Sequence, residues 1–148
     1  MGALTSFLES KRLFAPVVLR YTLAIVFILF GFQKLSNPPQ TTGEIQLLLN
    51  FLGIGPASAM NYYLGLLELA IACLLILGYY TRLAGTAAAL LTAAFFGSFL
   101  IKYGNSINPD IFRDVGLTGA GIGIALIGAG PWSLDNRKKN QENPIPPQ

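Results

Sequence analysis

Between Phe14 and Gln33 the chain runs for twenty residues with one charge, Arg20, among them. An α-helix rises about 1.5 Å per residue, so a run of this length crosses the roughly 30 Å of hydrocarbon in a bilayer. Three similar runs follow, at about 57–78, 83–102 and 113–130. The expected fold is all-α: an integral membrane four-helix bundle occupying residues 1–135. Composition agrees. Charged residues make up 11% and hydrophobic residues 53% of the 148, with a mean hydropathy of +0.55. A soluble domain carries roughly twice that share of charge, and a single domain of this length has too small an interior to hide so much apolar surface from water. Lipid takes the excess.

The ends of the runs are marked. Pro16 suits the first turn of the first helix, where its missing N–H costs nothing. Lys11 and Arg12 before it resemble the start of a cleaved signal, but Arg20 interrupts the apolar run and no A-x-A site follows, so a retained span is expected. Tyr62, Tyr63, Tyr79 and Tyr80 bracket the second run as interfacial aromatics do. Only Tyr79 to Arg82 separates it from the third, which makes those two helices antiparallel neighbours. Between the first and second runs, Asn37-Pro38-Pro39 reads as a helix break. Glu44 to Leu52 then reads as a short helix at the interface or folded back on the bundle, closed by Gly53-Ile54-Gly55-Pro56. Residues 136–148 are polar and contain prolines, and are expected to be disordered.

Small residues recur on two helices. Gly85, Ala89, Ala93 and Gly97 fall every fourth position on the third, and Gly119 and Gly123 form a GxxxG pair on the fourth. Both are expected to be faces where helices approach closely.

An even number of spans puts both termini on one side. Lys11, Arg12, Arg82, Arg137, Lys138 and Lys139 fall on that side, against Lys34, Lys102 and Arg113 on the other, so both termini are expected in the cytoplasm. The basic residues sit at segment ends and no run of them is long enough to track a nucleic acid, whatever the net charge of +3. The expected partners are the lipid bilayer and other membrane protein subunits, not a nucleic acid. The chain has no histidine and one cysteine, Cys73. It cannot supply bis-His haem ligation, a Cys-rich iron–sulfur site or a His-based zinc site, and no catalytic or metal-binding residue is expected.

What remains for chemistry is a handful of charges in apolar surroundings. A lone charge inside the membrane costs at least ~2.5 kcal/mol, so Arg20 and Glu68 should each face protein and find a partner. The simplest expectation is that they pair, either as a register-fixing ion pair or as the polar part of a pocket for a headgroup, a quinone or a proton. Glu68 without a partner would keep its proton and donate a hydrogen bond to a carbonyl, as a quinone site requires. Gln33 and Lys34 end the first helix on the face where Lys102 ends the third and Arg113 and Asp114 begin the fourth. These residues either line a pocket mouth or cap and snorkel, and Asp114 suits the positive end of its helix in any case.

In order and spacing, several short pieces resemble the DoxX family of small bacterial four-helix membrane proteins, from about Leu19 to Asp135. They are Arg20, then Gly31-Phe32-Gln33-Lys34-Leu35, Gly65-Leu66-Leu67-Glu68-Leu69, Leu77-Gly78-Tyr79-Tyr80-Thr81-Arg82, and a closing Gly128-Ala129-Gly130-Pro131-Trp132-Ser133-Leu134-Asp135. The resemblance implies a multi-pass protein of a bacterial inner membrane. The family takes its name from a subunit of a thiosulfate:quinone oxidoreductase, and other relatives are linked to membrane oxidoreductase complexes. That implies a membrane subunit holding quinone or lipid near Arg20, Lys34 and Glu68 while a partner carries the redox group. Relatives often have a histidine or another polar residue in the third helix or the loop after it; here that region offers Lys102, Asn105 and Asn108. A structural or assembly subunit and a small transporter or lipid-handling protein are the other readings. No inverted repeat or matched pair of broken helices supports the transporter.

Overall fold

A computed structural model describes residues 2–52, 57–104 and 109–142. Among these residues seven helices follow in order: α1 (Gly2–Lys11), α2 (Ala15–Ser36), α3 (Pro38–Leu52), α4 (Ala57–Leu77), α5 (Thr81–Tyr103), α6 (Pro109–Ile127) and α7 (Leu134–Glu142), with a 3-10 turn at Arg12–Phe14 joining α1 to α2. Gly53 to Pro56, and Asn105 and Asn108 in the α5–α6 connection, lie outside the described residues.

Four helices, α2, α4, α5 and α6, form the bundle of an all-α membrane protein. The closest pairs are α5 with α6 and α2 with α4. Their shared core is Leu23, Ala24 and Phe27 of α2, Ile71, Ala72 and Leu75 of α4, Ala84 and Ala88 of α5, and Ile124 of α6. Outside this core the polarity is that of a membrane protein. Val18, Ile25, Leu29 and Phe32 recur at helical spacing on the exposed side of α2, as do Leu83, Leu90 and Ile101 on α5. Among the described residues, three helical stretches are long and apolar enough to cross a membrane: Thr5–Ser36, which runs through α1 and the 3-10 turn into α2, Ala59–Leu77 and Thr81–Tyr103. The fourth, α6, carries Asp110, Arg113 and Asp114 in its first turns, yet farther along it exposes Ile122, Leu126 and Ile127 to the same surroundings.

Small residues set the helix spacings, though not all those the sequence pattern selects. On α5, Gly85 and Ala89 lie in the contact with α6, and Ala93 is half-buried. Gly97 faces open space, as do Gly119 and Gly123 on α6. The glycine that meets α5 is Gly121, whose missing Cβ would lie 2.8 Å from both the Ala89 nitrogen and the Gly85 carbonyl oxygen. Residues 119 and 123 share a helix face, and 121 lies on another. The rotation of α6 chose the second face. A second close approach joins α2 to α4, where a Cβ on Gly31 would sit 2.8 Å from the Gly65 carbonyl. This contact fixes the antiparallel register of the two helices.

The connector is more helical than its prolines suggest. The break is confined to Asn37 (φ −138°, ψ 65°), and Pro38 and Pro39 open α3, where the first turn needs no N–H donors. The helix folds back on the bundle, burying Ile45, Leu48 and Leu49 against Phe95 of α5. In the stretch expected to be disordered the chain is helical as far as Glu142, within α7, and 143–148 lie outside the described residues. The Ser133 hydroxyl caps α7 by accepting the Asn136 N–H at 3.2 Å, and Asp135 adds a negative charge in the first turn.

Candidate functional site

The expected pairing of Arg20 with Glu68 does not occur. The Gly31–Gly65 register sets Arg20 opposite the far end of α4, while Glu68 lies near Gly31 and Lys34. Arg20 and Lys34 are fourteen residues apart on one helix, about 21 Å by helical rise. Each buried charge has found a different kind of partner.

Arg20 is fully buried at the end of the bundle where α4 turns into α5 and α6 leads to α7. Its Nη1 donates to the Ala129 carbonyl at 2.6 Å, and its Nη2 to those of Trp132 at 3.2 Å and Ile76 at 3.4 Å. Ile76 is in the last turn of α4 and Ala129 just past the end of α6, where carbonyls lack intrahelical partners and helix dipoles favour a cation. The turns that aim these carbonyls use left-handed backbone at Gly78 (φ 61°), Gly128 (φ 91°) and Gly130 (φ 68°). At Gly78 a Cβ would lie 2.6 Å from Arg20 Nη1 and 2.5 Å from the Ser133 Cβ. Asp135 completes the assembly by accepting the N–H groups of Tyr80 (2.9 Å) and Thr81 (2.8 Å) at the start of α5. Beyond the spans, the Tyr79 hydroxyl, bonded to Tyr80 and to the Lys138 ammonium, is held below the ordinary tyrosine range. The closing Gly-x-Gly-x-x-Ser-Leu-Asp stretch and Arg20 thus form one tie across two interhelical turns.

Glu68 pairs with Lys34. The ammonium donates to both carboxylate oxygens, at 2.8 and 3.0 Å, with Lys34 6% and Glu68 2% exposed. The Lys34 Nζ also lies 5.5 Å from the ring centre of Phe30 and 5.6 Å from that of Phe95, within cation–π range. The end of α2 is anchored independently. Asn61 of α4 donates its amide N–H to the Lys34 carbonyl at 2.8 Å, and Thr41 of α3 donates to the Asn61 side-chain oxygen at 2.8 Å.

The ion pair borders a cavity of about 230 Å³ lined by residues of α2, α3, α4, α5 and α6. Of the expected residues, Gln33, Lys34, Glu68, Arg113 and Asp114 all line it. Arg20 and Lys102 do not; Lys102 is exposed and lies over its neighbour Tyr103 at 5.0 Å. Arg113 is half-exposed at the margin, its Nε 3.2 Å from the buried Asp114 carboxylate and its guanidinium 4.7 Å from the Phe30 ring centre. Sequence reading missed the apolar part of the wall, Phe27, Phe30, Leu91, Phe95 and Phe99, and three polar members, Thr41, Glu44 and Thr92. Spacing gave one weak cue, since Phe95 and Phe99 are one helical turn apart, but ten phenylalanines in the chain drown it. The cavity is slightly smaller than a typical small-molecule pocket of roughly 300–1,000 Å³. It suits a ring-sized or headgroup-sized moiety whose remainder extends outward.

Comparison with known proteins agrees with the fold. The curated "Inner membrane protein YphA" of Escherichia coli (strain K12) is 28% identical over 134 residues, covering 82% of this chain and 91% of that protein. No solved structure matches the chain. The DoxX family profile matches residues 15–101, which take in Arg20, Lys34, Glu68 and the α4–α5 turn. The chain belongs to the DoxX family.

Proposed function

We propose that this chain is a ligand-binding membrane subunit. In this reading it seats the head of a quinone or a lipid in the cavity beside Lys34 and Glu68, and it serves a quinone-linked oxidoreductase complex whose redox group a partner carries. The observation that carries the reading is the cavity itself: an aromatic-walled chamber next to a buried ion pair, sized for a headgroup. Aromatic walls with a few placed polar groups are the general make-up of small-molecule sites. An intramembrane ionisable pair adds weight, because such groups are costly in lipid and concentrate at functional sites. The chain has no histidine and its one cysteine, Cys73, is exposed on α4, so it has few means of holding a redox centre of its own. The relative's description as an inner membrane protein and the excess of basic residues beside the termini support placement in a bacterial inner membrane with both termini cytoplasmic.

The test is gentle extraction of the native protein, identification of copurifying proteins, and quantification of quinone and lipid per chain for the wild type and the K34M/E68M double variant. Quinone or a defined lipid near one per chain, lost in the double variant, together with a redox-active partner, is the expected result. A large complex carrying neither molecule at this chain would replace the reading with an assembly role. A solitary bundle with unselective lipid would remove the redox association as well.

A further inference from the structure

Five charged side chains line the cavity: Lys34 and Arg113, against Glu44, Glu68 and Asp114. The wall therefore carries one net negative charge, and its buried cation is already engaged. Lys34 gives hydrogen bonds to both Glu68 oxygens, and Arg113 lies against Asp114 and the face of Phe30. An anion seated at Lys34 would have to take it from Glu68 and leave a carboxylate unpaired in a site of low dielectric, the least favourable arrangement for a buried charge. A cation would have to compete with an ammonium already held at 2.8 and 3.0 Å. One donor is left over. An ammonium has three N–H groups; Glu68 accounts for two, and the remainder of the Lys34 head lies between Phe30 and Phe95 at the cavity wall.

We infer that the cavity selects an uncharged headgroup that accepts a hydrogen bond from Lys34 through a carbonyl or ester oxygen, and that it discriminates against anionic amphiphiles; this rests on the proposed ligand-binding role. Glu68 is the positioning residue. It neutralises the ammonium, so that Lys34 acts as a hydrogen-bond donor rather than as a free charge, and it turns the unused N–H toward the ligand. The four phenylalanine rings favour a flat or apolar body behind that oxygen. A quinone ring and the ester of a neutral glyceride share this chemistry.

The inference predicts a change of selectivity and not only a loss. Titration calorimetry on the full chain in a neutral maltoside micelle, with decyl-benzoquinone, monolaurin and dodecyl phosphate as probes, compares the three ligand classes directly. The wild type should bind at least one uncharged probe about tenfold or more tightly than dodecyl phosphate, and which uncharged probe wins separates a quinone from a glyceride. Glu68→Gln frees the Lys34 ammonium and brings the wall to zero net charge, so it should gain affinity for dodecyl phosphate and lose its preference. The K34M/E68M double variant guards against misfolding of the single one, and should bind neither class strongly. Wild-type binding of dodecyl phosphate as tight as that of the uncharged probes, or an E68Q protein that folds without gaining the anion, overturns the charge selection while leaving a ligand site in place. No binding of any probe to the wild type removes the ligand-binding reading itself.

Discussion

Gly121→Ala should destabilise the bundle, while Gly119→Ala and Gly123→Ala, two residues to either side, should not. All three substitutions add the same methyl group to one helix, and each gains helix propensity of up to about 1 kcal/mol. They differ in what the methyl meets. At 119 and 123 nothing lies within 4 Å. At 121 the new Cβ would be 2.8 Å from a backbone nitrogen and from a backbone oxygen, neither of which can swing aside. Ordinary contact begins at 3.4 Å, so α5 and α6 must part by about 0.6 Å along that line, loosening the most extensive interface in the molecule. Overpacking of this kind costs about 1–3 kcal/mol. Because the propensity gain is common to all three variants, that figure is also the expected difference between them. In a chain of this size each kcal/mol is worth roughly 2–4 °C in Tm. Thermal melts followed by circular dichroism at 222 nm, in one detergent and one preparation series, measure it. If Gly121→Ala melts with or above Gly119→Ala, the assigned rotation of α6 against α5 is wrong.

Arg20→Met should cost about 3–5 kcal/mol, since the two shorter charge-assisted hydrogen bonds to carbonyls are worth roughly 1.5–3 kcal/mol each and their acceptors stay buried; unchanged melting would refute the tie. Asp135→Ala removes the acceptor for two N–H groups at the start of α5 and should cost about 1–2 kcal/mol, read in the same melts. Lys34→Met leaves Glu68 buried without its counter-ion and should cost about 3–5 kcal/mol, most of which K34M/E68M should restore. A double variant no more stable than Lys34→Met would mean that the two side chains do not act as a pair.

The parts of this architecture legible in the sequence are those written in local pattern. Runs of about twenty apolar residues announce helices that cross a bilayer because length and polarity are properties of the run alone. Much of the cavity wall was legible for a related reason. Antiparallel spans bring alternate helix ends to one face, so Gln33 and Lys34 at the end of one helix must be near Arg113 and Asp114 at the start of another. Register and rotation were not legible. The pairing of Glu68 with Lys34 rather than Arg20 follows from where Gly31 meets Gly65, and that contact has no periodic signature. The small residues of α6 repeat often enough to offer more than one stripe, and only the partner helix decides between 121 and the pair 119 and 123. The prolines at 38 and 39 mislead in the opposite sense, because proline forbids the interior of a helix and favours its first turn.

The two buried cations show what membrane burial demands of a charge, and why one of them points to a site. Arg20 gives its terminal N–H groups to main-chain carbonyls that need a donor anyway, with only its Nε left buried without a partner among the described residues, so the charge and the turns largely solve each other's problem. Lys34 and Glu68 solve only the problem that each creates for the other. A well-packed pair of apolar side chains in their place would often be as stable or more so, and packing alone gives no reason to prefer the ions. Their surroundings also differ from those of Arg20. Asn61 and Thr41 fix the carbonyl end of Lys34 from two other helices, while its ammonium lies beside open volume. Anchoring the backbone of a residue whose head borders a cavity holds that head in place against empty space, and preorganisation of this kind reduces the ordering cost that binding would otherwise incur. Arg20 directs its donors to the turns themselves and is not among the residues lining the cavity beside Lys34, so substitution there should change stability alone. At Lys34 and Glu68 it should change what the protein carries.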